Sequence, residues 1–162
     1  MNITLDLQNA SSAARHPLPT DSDILQWLAP CFTPSQFNSG LHDPHWREPN
    51  LSVRLVDEPE SESLNSSYRG KHSATNVLSF PADLPAEVDL ELLGDLIICA
   101  PVVEREAEQQ GKSYRAHWAH MVVHGCLHLL GYDHVEDNDA EIMEHLETCI
   151  LQALDFPPPY EQ

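Results

Sequence analysis

Basic residues are scarce in this 162-residue sequence, where 8 Lys and Arg stand against 26 Asp and Glu and leave a formal charge of -18. That balance opposes long-range attraction to nucleic acid or to an anionic membrane, so an RNA partner has to be engaged by a local group of cations, and no DNA partner is expected. Acidity by itself serves solubility and names no partner. No window approaches the roughly 20 apolar residues that a spanning helix needs, and no basic region followed by an apolar run opens the chain. The expected compartment is therefore the cytoplasm, without a membrane partner. Cys31, Cys99, Cys126 and Cys149 form no C-x-x-C pair, so neither a cysteine zinc site nor a redox motif is indicated, and they read as mostly buried thiols. Internal repeats and low-complexity tracts are also lacking.

What is present suits a folded chain: 41% of residues are hydrophobic and 21% charged. The length allows a useful core without disulfides or oligomerisation, and one domain over residues 1–162 is expected. Asn2 to Leu7 alternates polar and apolar residues, the period of a half-buried strand. From Asp21, the residues Ile24, Leu25 and Leu28 recur at helical spacing, with Asp21 or Ser22 to cap the first turn and Pro30 to end the helix. Pro34 to Asn50 has no clear period and reads as a surface connection. Leu51 to Val56 alternates again, and Asp57 with Glu60 forms a capping-box pattern for a helix that carries Leu64 and Tyr68 on one face. Gly70 should stop that helix and leave Arg69 at its exit.

Val77 to Phe80 and Leu92 to Cys99 read as two more strands, separated by an acidic, proline-containing excursion. Helices follow from Val102 to about Gln110, from Ser113 to Leu130 with Gly131 ending it, and from about Asn138. The last has Asn138 and Glu141 as its cap and Ile142, Leu146, Cys149, Ile150 and Ala153 as its expected buried stripe. The fold expected is α+β: a small mixed four-stranded sheet packed with about five helices, and a metal site on a helix of the C-terminal half.

The metal expectation comes from His124, His128 and His134. Residues four apart on an α-helix differ by only about 40° in direction, so His124 and His128 project side by side and can chelate one ion. Gly131 lets the chain turn sharply, and His134 can then return as a third ligand. Three neutral imidazoles leave a position open for water, the arrangement of a catalytic zinc site. Nickel, copper or cobalt would also suit three histidines. His120 continues the same stripe, but it lies about 12 Å along the axis from His128, against metal–nitrogen bonds near 2 Å. Only a neighbouring pair can share the ion, and His120 is assigned to packing or to support of a ligand. Asp133 is a carboxylate that could orient a ligand through a hydrogen bond. His16, His42, His45, His72, His117 and His145 are read as exposed or hydrogen-bonded. In the H-E-x-x-H pattern of metalloproteases the residue after the first histidine is the general base; here it is Gly125, which cannot accept a proton.

Two long motifs then agree in order and spacing with one family. His124 to His134 matches H-x-x-x-H-x-x-G-x-D-H, and Leu64 to Pro81 matches L-N-x-x-Y-R-G-K-x-x-x-T-N-V-L-S-F-P. With Leu93-Gly94-Asp95-Leu96 and Ala116-His117-Trp118-Ala119-His120, the similarity covers about residues 50–155, and the chain resembles the YbeY family of bacterial endoribonucleases and rRNA maturation factors. The resemblance implies a single-strand-specific, metal-dependent endoribonuclease that matures the 3′ end of 16S rRNA and acts in ribosome quality control. Single-stranded RNA, rRNA and the ribosome or its small-subunit proteins are the implied partners. It also implies one zinc ion on His124, His128 and His134, and a functionally important arginine at Arg69. A guanidinium there can hold a phosphate in a bidentate fork, and Lys71 can add a point charge; the plainer role for Arg69 is a cation complementing a helix C-terminus. His72 stands where the family commonly has an acid, and Cys126 where it has a small hydroxyl residue; Cys126 points about 200° from His124 and should not join the metal. The alternatives are a zinc-containing ribosome assembly factor with little catalysis, and a metallohydrolase of another substrate class.

Overall fold

The structure is a computed structural model that describes residues 2–37, 40–85, 91–133 and 136–160. Four strands, β1 (Thr4–Asn9), β2 (Asn50–Val56), β3 (Val77–Pro81) and β4 (Leu92–Cys99), form one sheet in the order β1-β2-β4-β3. β1, β2 and β4 run parallel, and β3 pairs with β4 antiparallel, so the sheet is mixed as expected. Five helices complete the α+β architecture among the described residues: α1 (Asp21–Leu28), α2 (Glu58–Arg69), α3 (Ala100–Gln110), α4 (Tyr114–Leu129) and α5 (Asp137–Ala153). None is long and apolar enough to cross a membrane.

α4 is the central helix. Eleven of its residues are buried, including Trp118, Val122, Val123, Cys126 and Leu127, because it is apolar on nearly every side and must be enclosed. It packs on α1, α3, α5 and on strands β3 and β4. Leu96 in the middle of β4 pairs with Val53 of β2 and Ser79 of β3, and it meets α4 at Gly125. An added Cβ at Gly125 would lie 2.8 Å from Leu96 Cδ2 and 3.2 Å from Val77 Cγ2. Ser79 Oγ donates to the Gly125 carbonyl at 3.2 Å. Glycine is thus what lets the helix sit against the sheet. One continuous core joins Ile24, Trp27 and Leu28 of α1 to Val53, Leu96, Val122, Leu127, Met143, Leu146 and Ile150.

Several local expectations are corrected. α1 is capped by Thr20, one residue earlier than expected, in a reciprocal capping box with Asp23. Residues 34–50 are not simply a surface connection: a short 3-10 turn (Pro34–Phe37) follows another (Ala29–Phe32), Pro34 is buried, and Phe37, Leu41 and Trp46 pack against the core. Asp57 precedes α2 but does not cap it with its side chain. Its carboxylate instead accepts from Ser11 Oγ at 2.6 Å and from the backbone N–H groups of Ser12 and Ala13 at 2.9 and 3.2 Å. Glu104 likewise holds the N–H groups of Arg15 and His16, at 3.0 and 2.9 Å, and Glu91 those of Arg47 and Glu48, at 2.7 and 2.6 Å. Part of the acidic excess is therefore structural: carboxylates satisfy backbone donors in segments without a ladder. α5 begins at Asp137 without a side-chain cap, and its buried stripe is Met143, Leu146, Glu147, Ile150 and Leu151; Ile142 and Ala153 are exposed.

Candidate metal and phosphate site

Arg69 closes α2, and Gly70 takes the left-handed conformation, φ 69°, that ends the helix. The segment after it is tied back to the polar face of α2. Asn65 Nδ2 donates to Ser73 O at 2.8 Å, while Ser61 Oγ donates to Thr75 O at 3.1 Å and accepts from Thr75 N–H at 3.0 Å. His72 Nδ1 lies 3.0 Å from Ser66 Oγ, so this departure from the family pattern is engaged with the surface of α2. Tyr68 is 69% exposed and stays out of the core, meeting Phe80 edge-on with ring centroids 5.2 Å apart. These ties hold Arg69 and Lys71 beside β3. Neither makes an ion pair among the described residues.

The structure brings the two motifs together. Arg69 and Lys71 line one cavity of about 570 Å³ with His124 and His128, between the end of α2, strand β3 and the face of α4. His124 and His128 have ring centroids 4.7 Å apart, as their spacing predicts. His134 lies outside the described residues. Cys126 is buried in the core, as its helical direction predicts.

Behind these residues α4 carries a longer histidine row. His117 to His120 and His120 to His124 have centroid separations of 5.9 and 6.1 Å. Each inner histidine meets a carboxylate: His117 Nε2 lies 2.9 Å from Glu106 Oε1, and His120 Nε2 lies 2.6 Å from Glu147 Oε2. The other oxygen of Glu147, Oε1, is 2.9 Å from His124 Nδ1, and Tyr160 donates its hydroxyl to Oε2 at 2.7 Å. Burial of Glu147 would raise its pKa, but the hydrogen bonds and charges of His120 and His124 outweigh this and hold the carboxyl at about 2. It is ionised at neutral pH. Burial pushes the His120 pKa down against the pull of Glu147, and burial with the nearby Glu147 charge pushes the Tyr160 hydroxyl far up, so Tyr160 remains a donor.

His120, His124 and Glu147 place ligand atoms within 4.8 Å of one another, a group that could hold a metal ion. Its contacts are those of hydrogen bonds. Tetrahedral ligands with metal bonds near 2.0 Å stand about 3.3 Å apart, wider than the 2.6 and 2.9 Å separations here. Glu147 and His120 are also enclosed, at 0% and 7% exposure, whereas His124 and His128 open on the cavity that holds Arg69. His124 belongs to both groups. The donor chemistry fits a borderline divalent ion on the cavity side, with a carboxylate behind one imidazole.

Glu147 is not among the residues that the sequence analysis singles out. Its signal is an acid in register with Met143, Leu146 and Ile150, the i, i+3, i+4, i+7 positions of one face. A carboxylate on a buried stripe requires partners, and the α4 histidines supply them. Tyr160 carried no such signal.

The family described as Endoribonuclease YbeY matches this chain over residues 15–155. Among solved structures, the solution structure of TM1509 from Thermotoga maritima is 23% identical, with 96% of this chain and 99% of that chain covered and a TM-score of 0.49.

Proposed function

The chain belongs to the endoribonuclease YbeY family, and from that premise we propose that it is a metal-dependent endoribonuclease, specific for single strands, that acts on ribosomal RNA. In this reading one cytoplasmic domain matures the 3′ end of 16S rRNA and serves ribosome quality control, with the ribosome or its small-subunit proteins as partners. The observation that carries the reading is the shared cavity, in which two cations that make no ion pair among the described residues face two histidines at ligand spacing.

His124 and His128, with His134 as the third ligand, would hold one zinc ion. When bound, the ion supplies Lewis-acid polarisation of a phosphate oxygen or activation of water. Arg69 binds the scissile phosphate through two parallel N–H donors and offsets the charge that gathers on it as the bond to the leaving oxygen breaks. Lys71 adds a second positive charge at the same mouth. The two cations also explain how an acidic chain takes a polyanion: attraction is confined to the cavity, while Asp57, Glu91 and Glu104 are occupied in holding loops. Peptide hydrolysis by a zincin route is disfavoured sterically as well as chemically, since the position of the usual glutamate is Gly125, pressed against Leu96.

Cleavage of a single-stranded RNA by the zinc-loaded protein tests the reading. Activity should disappear in His124→Ala, in Arg69→Ala and on chelation, with the fold retained. Equal cleavage in all samples would refute it as the work of a contaminating nuclease. Ribosome association without cleavage would favour an assembly factor.

A further inference from the structure

We infer that Glu147 is the positioning residue of the metal site: its carboxylate fixes His124 with the proton on Nδ1 and the lone pair on Nε2, and it withholds His120 from the ion. The inference rests on the proposed metal site and names the residue that selects which histidines form it.

Carboxylate oxygens accept, and the two oxygens of Glu147 face two ring nitrogens and the Tyr160 hydroxyl at hydrogen-bond distance, so the ring nitrogen facing each oxygen carries the proton. Glu147 Oε1 faces His124 Nδ1 at 2.9 Å and Oε2 faces His120 Nε2 at 2.6 Å. In neutral His124 the lone pair is then on Nε2, while in neutral His120 it is on Nδ1, which is buried with no hydrogen-bond partner among the described residues. The same carboxylate thus gives the two neighbouring imidazoles opposite tautomers. Only His124 can present a ligating nitrogen along with His128 at the cavity. That resolves the ambiguity left by three histidines at successive i, i+4 steps, where spacing alone allows either neighbouring pair.

The carboxylate is itself held. Glu147 is fully buried, Tyr160 Oη is its third donor, and the segment bearing Tyr160 is anchored where Lys112 Nζ donates to Pro159 O at 2.8 Å. Partners of this kind behind a metal-bound imidazole fix its orientation and tautomer and raise its basicity; removing one costs about 10–100-fold in metal affinity. In Glu147→Gln the amide can donate to His124 Nδ1 and stabilise the wrong tautomer.

The test is the zinc dissociation constant of the full-length protein, by competition with a chromophoric chelator, for the wild type, Glu147→Gln and His128→Ala, with circular dichroism to establish folding. A second measurement is the long-range 1H–15N spectrum of the metal-free wild type, which reports the tautomer of each histidine. The expected result is a loss of about 10–100-fold in Glu147→Gln, with His124 protonated on Nδ1 and His120 on Nε2. Wild-type affinity in folded Glu147→Gln, beside weakened binding in His128→Ala, would overturn the inference and leave the metal site standing. If zinc binds the wild type no better than His128→Ala, the metal site itself fails, and so does the role of Glu147 toward it. Should Glu147→Gln not fold, the spectrum decides: a proton on His124 Nε2 overturns the inference, and one on Nδ1 upholds it.

Discussion

Gly125 lies so close to Leu96 that an added Cβ would come within 2.8 Å of Leu96 Cδ2. The residue between the two metal-ligating candidates is therefore set by packing of α4 on β4. Gly125→Glu, which would restore the H-E-x-x-H pattern, should destabilise the protein by about 3 kcal/mol or more, since it overpacks the contact and buries a charge. It should confer no peptide hydrolysis. Gly125→Ala should cost about 1 kcal/mol, the overpacking exceeding the gain in helix propensity. Urea unfolding of the two variants checks both magnitudes.

Arg69 tests the phosphate role without confounding the fold. It is exposed and has no ion pair among the described residues, so Arg69→Ala should shift stability by less than about 0.5 kcal/mol. Catalysis should fall by about 10²–10³-fold, the range seen when one preorganised donor is removed from a developing charge. Arg69→Lys should recover part of this, because a lysine restores charge without the bidentate fork. Single-turnover cleavage of RNA, run beside thermal unfolding, separates the two effects.

The features legible in the sequence were those that local geometry determines. His124 and His128 are paired by four-residue spacing alone, and Arg69 is placed by Gly70, whose left-handed turn a helix end calls for. Strand and helix order followed from period and from Gly and Pro positions. What escaped was settled between elements. Of the stripe Ile142, Leu146, Cys149, Ile150 and Ala153 that the sequence places on α5, Leu146 and Ile150 are buried, but Met143, Glu147 and Leu151 complete it, because a small rotation of a helix is decided by what it packs on, here the histidines of α4. Asp57 offers the capping pattern, yet four donors from residues 11–13 claim its carboxylate. Those partners are more than forty residues away in sequence, beyond the reach of a local rule.

That carboxylate also gives the metal-free protein a defined acid sensitivity. Partial burial alone would raise the Asp57 pKa, but the hydrogen bonds from Ser11, Ser12 and Ala13 prevail and lower it. A group whose folded pKa is depressed stabilises fully above its unfolded value, about 3.9 for aspartate, and loses that contribution as pH falls through the folded value. Asp57→Asn should therefore cost about 2 kcal/mol at pH 7, the scale of hydrogen bonds to a charged acceptor, and the difference from wild type should shrink below about pH 4. Denaturant midpoints measured from pH 7 to pH 3 provide the check; a difference that stays constant with pH would contradict it.

Metal binding should appear as stability before any substrate is added. A ligand that binds only the folded state at a free concentration of one hundred times its dissociation constant stabilises by about 2.7 kcal/mol. For a chain of this size about 1 kcal/mol corresponds to about 2–4 °C in Tm, so saturating zinc should raise Tm by about 5–11 °C. His128→Ala should lose most of that increment, while Arg69→Ala should keep it, because the guanidinium serves the phosphate rather than the ion. Chelator added to the loaded wild type should return Tm to the metal-free value. A rise of equal size in wild type and His128→Ala would place the zinc elsewhere on this histidine-rich chain and remove the cavity from the account of metal binding.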